Sequence, residues 1–385
     1  MNKDRLESLD ALRGFDMLLI MGLGPVVVDC CALLGFGSDC FLARQFAHVE
    51  WNGLRLEDTI FPLFLFLAGV SWPFSLAAQR KRGRTNAQII LRCLRRAALL
   101  FLLGLVYNGL LEGTLRMGAV LSRIGVAWCV GAVLSLYLGR RVLAVLAVGI
   151  PIAYWLLLYF VPAPDALTLV VPPGQEIVRQ FGTGPFSIVG NLSGWIDRHF
   201  MPGILCPYVG IADNQSALGY IPAIGTALLG ILFGGYIRET RETLSVPARS
   251  LRMLCVAAGL VALGVFVAFG CGGMSMPVNK KLWSASFTFI VGGYSAAMLA
   301  LFHLVFDGFG CPRLSFFFRV IGMNAITIYL VRRIVPFDVL SNFFFGAVAK
   351  AVPPSASALV ISIGVVVLGW AFLYFLCRKG IFLKV

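Results

Sequence analysis

The sequence predicts an all-α polytopic integral membrane protein. The chain of 385 residues is 59% hydrophobic and only 13% charged, and its mean hydropathy is +0.88. A soluble domain of this length could not cover so much apolar surface with so few charged groups. The apolar residues also occur in runs of about 20, the length of helix that crosses the hydrocarbon core of a bilayer.

About ten such runs are present, and we expect them to form one transmembrane domain over residues 1–385. They lie near residues 15–35, 59–79, 95–112, 119–139, 142–162, 217–237, 252–271, 284–306, 316–335 and 355–377. Loops rich in Lys and Arg stay on the cytoplasmic side. The largest basic cluster, between Arg80 and Arg96, is in a short loop. Most of the 32 basic residues fall on the same side of the membrane as this cluster. The prediction is therefore that both termini are cytoplasmic.

The net charge of +14 reflects mainly the basic residues of the predicted cytoplasmic loops. No soluble basic domain exists that would bind nucleic acid, so we expect no nucleic-acid partner. Only one connection, residues 163–216, is long, and the topology places it outside. Loops of this length are usually functional or disordered. The apolar residues near 188–201 predict a short helix over the outer face.

The segment 48–58 holds the densest group of polar side chains at the mouth of a predicted span. His48, Glu50, Trp51, Asn52 and Asp58 precede an almost unbroken apolar run. Polar groups are costly to desolvate in this position, which favours a functional role. The alternative is a solvated loop that Trp51 anchors at the membrane interface.

Other polar residues lie at or beside membrane depth. A charge at the bilayer centre costs roughly 2.5–3.5 kcal/mol, so each should face the bundle interior or a water-filled cavity. Asp10 and Arg13 have the spacing of an ion pair within a helix, and Asn324 has the alternative of a hydrogen bond between helices. The full set is Asp10, Arg13, Ser122, Arg123, Asn279, Lys280, Trp283 and Asn324.

The other histidines and the cysteines carry weaker signals. His303 has no evident partner along the chain and is expected to be structural, and His199 is expected to be solvated or locally bonded. The ten cysteines are scattered without a Cys-x-x-Cys pair. Inside spans they should act as small hydrophobic residues. We therefore expect no metal site, and the pairing of any outer cysteines stays open.

Eight motifs in order carry a resemblance that spans nearly the whole chain. They are SLDALRGFDM, HVEWNGLRLEDTIFPLFLFLAGVS, VLSRIGVA, GWIDR, ALGYIPAIGTALLG, PVNKKLW, GMNAITIYL and RKGIFLKV. In these residues the chain resembles the transmembrane acyltransferases of the heparan-alpha-glucosaminide N-acetyltransferase family and their bacterial relatives. The resemblance implies acetyl transfer from cytoplasmic acetyl-CoA to an amino sugar on the other side of the membrane, with His48 as the catalytic histidine and Asp58 as its aspartate.

Roles for the remaining polar residues follow as expectations from the resemblance and from charge. The expected substrate-binding residues are Glu50, Trp51, Asn52, Asp213, Asn279, Lys280, Trp283, Asn324 and Arg333, and Arg13, Ser122 and Arg123 are expected to contact acetyl-CoA. The expected partners are the lipid bilayer, acetyl-CoA as co-substrate, and an amino-sugar or glycosaminoglycan-fragment acceptor, with a homodimer left open. The expected location is a bacterial inner membrane.

Two chemical routes and two other functions stay open at this level. His48 either acts as a general base toward the attacking amine or attacks the thioester itself and carries the acetyl group. Asn52, Asn279 and Asn324 are the candidate donors to the oxyanion. The alternative functions are a transporter or channel for an anionic solute, and O-acyl transfer to a cell-surface glycan.

Overall fold

A computed structural model describes residues 6–37 and 39–383, apart from the side chain of residue 177. Fifteen α-helices and one short β-hairpin form the described part of the chain. They are α1 Glu7–Leu18, α2 Gly24–Leu33, α3 Phe41–Arg44, α4 Leu56–Lys81, α5 Asn86–Tyr107, α6 Val120–Tyr137, α7 Arg140–Phe160, α8 Leu192–Phe200, β1 Pro207–Tyr208, β2 Ala212–Asp213, α9 Tyr220–Glu239, α10 Val246–Val265, α11 Ala285–Phe302, α12 Pro312–Gly322, α13 Ala325–Ile334, α14 Phe337–Ala351 and α15 Pro354–Arg378.

The predicted class of all-α multi-pass membrane protein is confirmed. Within the described ranges, eight helical segments are long and apolar enough to cross a membrane, and the pair α12 and α13, bent by 54°, makes a ninth if it counts as one span. Nine of the predicted spans coincide with these segments. The remaining prediction, residues 95–112, overlaps α5, which runs from Asn86 to Tyr107 and carries Arg92, Arg95 and Arg96. These three arginines keep α5 out of the eight segments, but its 22 residues are long enough to cross a membrane, so the tenth span stays a prediction.

The first helical segment begins earlier than predicted. It runs from Glu7 to Leu33, whereas the apolar pattern placed its start near residue 15. The two extra turns hold polar side chains, among which Asp10 and Arg13 form the expected ion pair at 3.5 Å. Between α1 and α2 the helix widens into a π-helical turn over Leu19–Leu23, where Gly22 has φ 138°. Only glycine adopts such a φ at no steric cost.

The chain divides into two compact units. Unit 1 contains residues 6–49, 55–60 and 298–383 of the described chain, and unit 2 contains residues 50–54 and 61–297. In unit 1, α1 packs directly on α12. A Cβ atom on Gly14 would lie 1.8 Å from the carbonyl oxygen of Phe318, and one on Gly322 would lie 2.2 Å from that of Asp10. Small residues allow this close approach of two helix backbones.

In unit 2, α9 is the central helix and contacts α4 through glycine in the same way. A Cβ atom on Gly69 would lie 2.4 Å from the carbonyl oxygen of Ala227, and one on Gly230 would lie 2.1 Å from that of Phe66. The segment 163–216 also belongs to this unit and is folded. It contains α8 at Leu192–Phe200, which confirms the predicted short helix, and the β1–β2 hairpin.

We expect Gly14→Ala to lower the free energy of unfolding by about 1–3 kcal/mol, because the added methyl group overpacks the contact between α1 and α12. Thermal unfolding in detergent measures this effect. Gly149→Ala in α7 is the control, because a Cβ atom there would meet nothing within 4 Å. The control should keep or raise stability, since alanine is the better helix former. Equal melting temperatures for the two variants would contradict the close contact.

We expect Arg82→Cys to be cytoplasmic and Leu167→Cys to be on the outer side. Both positions are exposed, so a thiol at either is accessible to a maleimide. A membrane-impermeant maleimide added to intact cells should label the cysteine at position 167 and should label position 82 only after permeabilisation. The reverse pattern would overturn the predicted orientation.

Candidate functional site

His48 and Asp58 form a hydrogen-bonded pair in unit 1. Nδ1 of His48 lies 2.9 Å from Oδ1 of Asp58, and the side chains are 53% and 1% exposed. Asp58 is in the first turn of α4, where the positive end of the helix dipole favours a carboxylate. The pair therefore joins an accessible imidazole to a carboxylate that is enclosed by protein.

Asp58 is held in place by the backbone around it. Its second oxygen, Oδ2, accepts hydrogen bonds from the backbone N–H groups of Arg55, at 3.2 Å, and Val49, at 3.4 Å. The Arg55 side chain in turn donates to the carbonyl oxygen of His48 at 3.2 Å. Because both ends of the loop between His48 and Asp58 are tied in this way, the carboxylate orients the imidazole rather than following it.

The geometry determines which nitrogen of the neutral imidazole is basic. When Nδ1–H donates to the carboxylate of Asp58, the lone pair that can accept a proton is on Nε2. A carboxylate on the far side of the ring also stabilises the imidazolium that forms on proton transfer. The pair therefore has the arrangement of a general base or of an activated nitrogen nucleophile.

Of the residues between His48 and Asp58, residues 50–54 belong to unit 2. Trp51 is buried there in an apolar cluster, and its indole N–H donates to the carbonyl oxygen of Phe186 at 2.9 Å. The Glu50 carbonyl oxygen accepts from the Tyr208 hydroxyl at 2.9 Å. Lys281 also donates to this carbonyl oxygen and, at 2.7 Å, to the Tyr208 hydroxyl. Trp51 is thus a buried anchor of the 163–216 segment, which differs from the interface-anchor alternative.

Asn52 and Asn279 are adjacent in unit 2, but they have different surroundings. The Nδ2 amide of Asn279 donates to Oδ1 of Asn52 at 3.1 Å, and Oδ1 of Asn279 accepts the backbone N–H of Leu282 at 2.9 Å. Asn279 is fully buried, whereas Asn52 is exposed. Both ends of the Asn279 amide are bonded to protein, so Asn279 holds Asn52 in position. The exposed amide of Asn52 is the one that can form a hydrogen bond with a group from outside the chain.

Arg123 is a buried cation of unit 2 with unmet hydrogen-bond donors. It lies in the first turn of α6 and is 1% exposed. Nη2 donates to the carbonyl oxygen of Ser216 at 3.2 Å, whereas Nε and Nη1 have no hydrogen-bond partner among the described residues. Unmet donors on a buried cation are costly. This guanidinium therefore has hydrogen-bonding capacity for a group that enters from outside the chain.

Aromatic rings line two sides of Arg123. The guanidinium carbon lies 5.0 Å from the ring centre of Trp283 and 5.5 Å from that of Tyr220. The Tyr220 hydroxyl donates to Ser122 at 3.1 Å, and Tyr220 also lines a cavity of about 280 Å³ beside α8. Trp283 has φ 54°, a left-handed conformation that is strained for a bulky residue and is found most often at functional sites.

Three of the expected substrate residues have other close contacts. Asp213 accepts from Arg116 at 3.0 Å and from the backbone N–H of Gln215 at 2.7 Å, so it ties the 163–216 segment together. The amide of Asn324, at the break between α12 and α13, donates to the carbonyl oxygen of Ile381 at 3.3 Å. Lys280 lies over the ring of Phe61 at 5.6 Å. Their roles as substrate-binding residues stay predictions.

The last two predicted residues lie in unit 1. Arg13 is paired with Asp10 in α1, and Arg333 is exposed in the last turn of α13. The structure thus brings together Glu50, Trp51, Asn52 and Asn279 in one part of unit 2, and Ser122, Arg123 and Trp283 in another.

The 163–216 segment contains one further buried carboxylate close to these groups. Asp197 of α8 accepts the backbone N–H groups of Ala217, at 2.8 Å, and Asp213, at 3.3 Å. Burial raises the pKa of Asp197 to about 6, although these two hydrogen bonds act to lower it. Asp197 fixes the end of the segment from which Ser216 contacts Arg123.

The expectation that His303 has no partner was wrong. Its Nδ1 lies 2.7 Å from Oδ2 of Asp307, one helical turn further along the chain. The apolar sequence around both residues concealed the i, i+4 spacing. His199 is bonded locally, through Nδ1 to the carbonyl oxygen of Trp195 at 2.9 Å, as expected.

Sequence reasoning did not assign two tyrosines that the structure places at these groups, Tyr208 and Tyr220, and it considered Lys281 only for the alternative of an anion transporter. A tyrosine at the start of an apolar helix was the available signal for Tyr220. Burial raises the pKa of the Tyr208 hydroxyl to about 12, so it stays protonated and bridges Lys281 to the chain at Glu50. Within the described ranges, no group of three or more His, Cys, Asp or Glu residues is arranged to hold a metal ion.

Two curated relatives match the chain. Human heparan-alpha-glucosaminide N-acetyltransferase is 26% identical over 421 residues, which cover 99% of this chain and 60% of that protein. The mouse protein of the same name is 25% identical over 382 residues, which cover 89% of this chain and 54% of that protein. The chain therefore spans little more than half the length of these relatives. No protein-family model matches it.

These matches cover most of the chain, and the identity is about one residue in four. The resemblance is thereby confirmed at the level of a family relationship. The chain is a distant relative of the heparan-alpha-glucosaminide N-acetyltransferases.

Proposed function

We propose that this protein is a transmembrane acetyltransferase that moves an acetyl group from cytoplasmic acetyl-CoA to the amino group of a glucosamine-type sugar on the opposite side of the membrane. The observation that carries the proposal is the pair of His48 and Asp58, at 2.9 Å, in a chain distantly related to N-acetyltransferases. We place the protein in a bacterial inner membrane, with the segment 163–216 on the outer side.

His48 acts on the acceptor amine in the first of two routes. Nε2 takes a proton from the ammonium group of the sugar, and the freed lone pair attacks the thioester carbonyl carbon. The new C–N bond forms as the C–S bond breaks, the nitrogen gives its second proton to the departing thiolate, and the imidazolium then releases its proton to solvent. Asp58 stabilises the imidazolium while it holds this proton.

In the second route, His48 is the nucleophile. Nε2 attacks the thioester carbon, the C–S bond breaks, and the acetyl group is carried on the imidazole until the amine removes it. Acid quenching of the enzyme with acetyl-CoA, followed by peptide mass analysis, distinguishes the routes. A peptide containing His48 that is heavier by one acetyl group supports the second route, and its absence during turnover supports the first.

Asn52 and Arg123 have separate roles in this proposal. The exposed amide of Asn52, oriented by Asn279, donates to a carbonyl oxygen on which negative charge develops. Arg123 uses its two unpartnered nitrogens, Nε and Nη1, to donate to a carbonyl or anionic group of a substrate, in a site lined by Trp283 and Tyr220. A buried ionisable residue in a membrane helix is most often functional.

The direct test is incubation of the purified protein with labelled acetyl-CoA and a panel of acceptors. Glucosamine and a glucosamine-terminated oligosaccharide offer an amine, and N-acetylglucosamine offers only hydroxyl groups. Label on the amine acceptors alone supports N-acetyl transfer. Label on N-acetylglucosamine would replace it with O-acetyl transfer, and label on none would contradict acetyl transfer to this acceptor class.

We expect His48→Ala to lower the rate of acetyl transfer at least about 100-fold, because either route needs its Nε2. Asp58→Asn should lower the rate less, since Asp58 orients the ring without reacting. Steady-state assays with labelled acetyl-CoA measure both. His199→Ala is the matched control, because His199 is an exposed histidine bonded only to a backbone carbonyl. Near wild-type turnover by a folded His48→Ala variant would contradict both routes.

We expect Arg123→Met to abolish transfer and to keep or raise the melting temperature. Replacement of an incompletely paired buried cation by an apolar side chain of similar length is often neutral or stabilising. Thermal unfolding and turnover are measured on the same preparation. Arg116→Met is the matched control, because Arg116 is ion-paired with the buried Asp213, and the loss of this partner should cost about 3 kcal/mol or more. Arg123 would be structural if its variant unfolded as readily as the control.

A further inference from the structure

A groove of about 420 Å³ lies in unit 2 between α7, α9 and α10, and the proposed transfer reaction does not use it. Three polar side chains lie at one end, where α7 begins, α9 ends and α10 begins. They are Arg140, Tyr236 and Arg252. The topology places this end on the cytoplasmic side. The rest of the lining is apolar and consists of Ala144, Val148, Leu229, Leu232, Phe233, Met253, Val256 and Leu260.

The spacing of the lining residues gives the groove a direction. On α7 the lining residues Arg140, Ala144 and Val148 are four residues apart, and on α10 Arg252 is followed at the same spacing by Val256 and Leu260. Eight residues of α-helix extend about 12 Å. One leaflet contributes about half of a hydrocarbon core about 30 Å thick. The groove is therefore polar at the membrane surface and apolar through most of one leaflet.

The polar end has unmet capacity for an anion. The Arg252 side chain makes no hydrogen bond or ion pair with any described residue, and the buried hydroxyl of Tyr236 has no hydrogen-bond partner in the described chain. Arg140 is partly neutralised, because it is paired with Glu239 at 2.8 Å. Its guanidinium carbon also lies 5.9 Å from the ring centre of Tyr236. Arg252 is thus the main available cation.

The surroundings favour a lipid over a soluble ligand. Val145 on α7 and Leu251 and Val256 on α10 are 69%, 63% and 53% exposed, and on membrane-spanning helices such apolar side chains face hydrocarbon. A soluble anion with amide groups, such as the pantetheine arm of CoA, would need several hydrogen-bond partners along the groove. Beyond the polar end the lining residues are all apolar.

We propose that this groove binds one anionic phospholipid of the cytoplasmic leaflet. The phosphate group lies between Arg252 and Arg140 and accepts a hydrogen bond from the Tyr236 hydroxyl, and one acyl chain lies along α7, α9 and α10. Basic pockets between membrane helices on the cytoplasmic side recognise anionic head groups in this way. The proposal does not depend on the acetyl-transfer reaction.

Native mass spectrometry of the purified protein in detergent tests the proposal, with phosphatidylglycerol and phosphatidylcholine of identical acyl chains as the two probes. We expect phosphatidylglycerol to bind at least about fivefold more tightly, since each basic residue near the surface contributes about 1 kcal/mol. Arg252→Gln should lower the ratio of the two affinities, phosphatidylglycerol over phosphatidylcholine, about fivefold. Tyr236→Phe should weaken binding of both lipids, because both have a phosphate group.

The matched control is Arg92→Gln, which removes an exposed arginine of α5 that does not line the groove. It should leave the lipid preference unchanged. Equal binding of the two lipids, or the same loss in Arg92→Gln as in Arg252→Gln, would overturn the proposal. Release of bound phosphatidylglycerol by CoA would assign the groove to the acetyl donor and would also overturn it.

Discussion

Hydrocarbon offers no hydrogen bonds, so a polar side chain on a membrane-spanning helix must find its partners within the protein. Several buried polar groups among the described residues meet that constraint. Asp58 is bonded to an imidazole and to two backbone N–H groups, and Asn279 uses both ends of its amide. A buried polar group that still has unpartnered hydrogen-bond donors is therefore informative, and Arg123 is such a group.

The same constraint separates accessible polar residues from the enclosed residues that hold them in place. Asp58 is enclosed and fully engaged, whereas the His48 ring it orients is half exposed. Asn279 is enclosed and Asn52, its partner, is exposed. In each pair the buried member limits the orientation of the accessible one. Preorganisation of this kind lets a site act without rearranging its polar groups during the reaction.

The sequence predicted the helical class and nearly all spans because apolar runs of about 20 residues are a strong and local signal. Through the resemblance it also named His48 and Asp58, which the structure shows to be hydrogen-bonded. It did not predict the pair of His303 and Asp307, although their spacing is also local, because the residues between them are apolar. Contacts between distant segments, such as those of Lys281 with Tyr208 and Glu50, depend on packing that no local pattern encodes.

The central claim is that the acetyl group crosses the membrane through this protein with the help of His48. Proteoliposomes with the protein in one orientation, labelled acetyl-CoA only on the side of residue 82 and glucosamine only on the side of residue 167, test it most directly. The account predicts labelled N-acetylglucosamine on the side of residue 167, and none with the His48→Ala variant. Product formed only when both substrates are on the same side, or equal product from the variant, would contradict it.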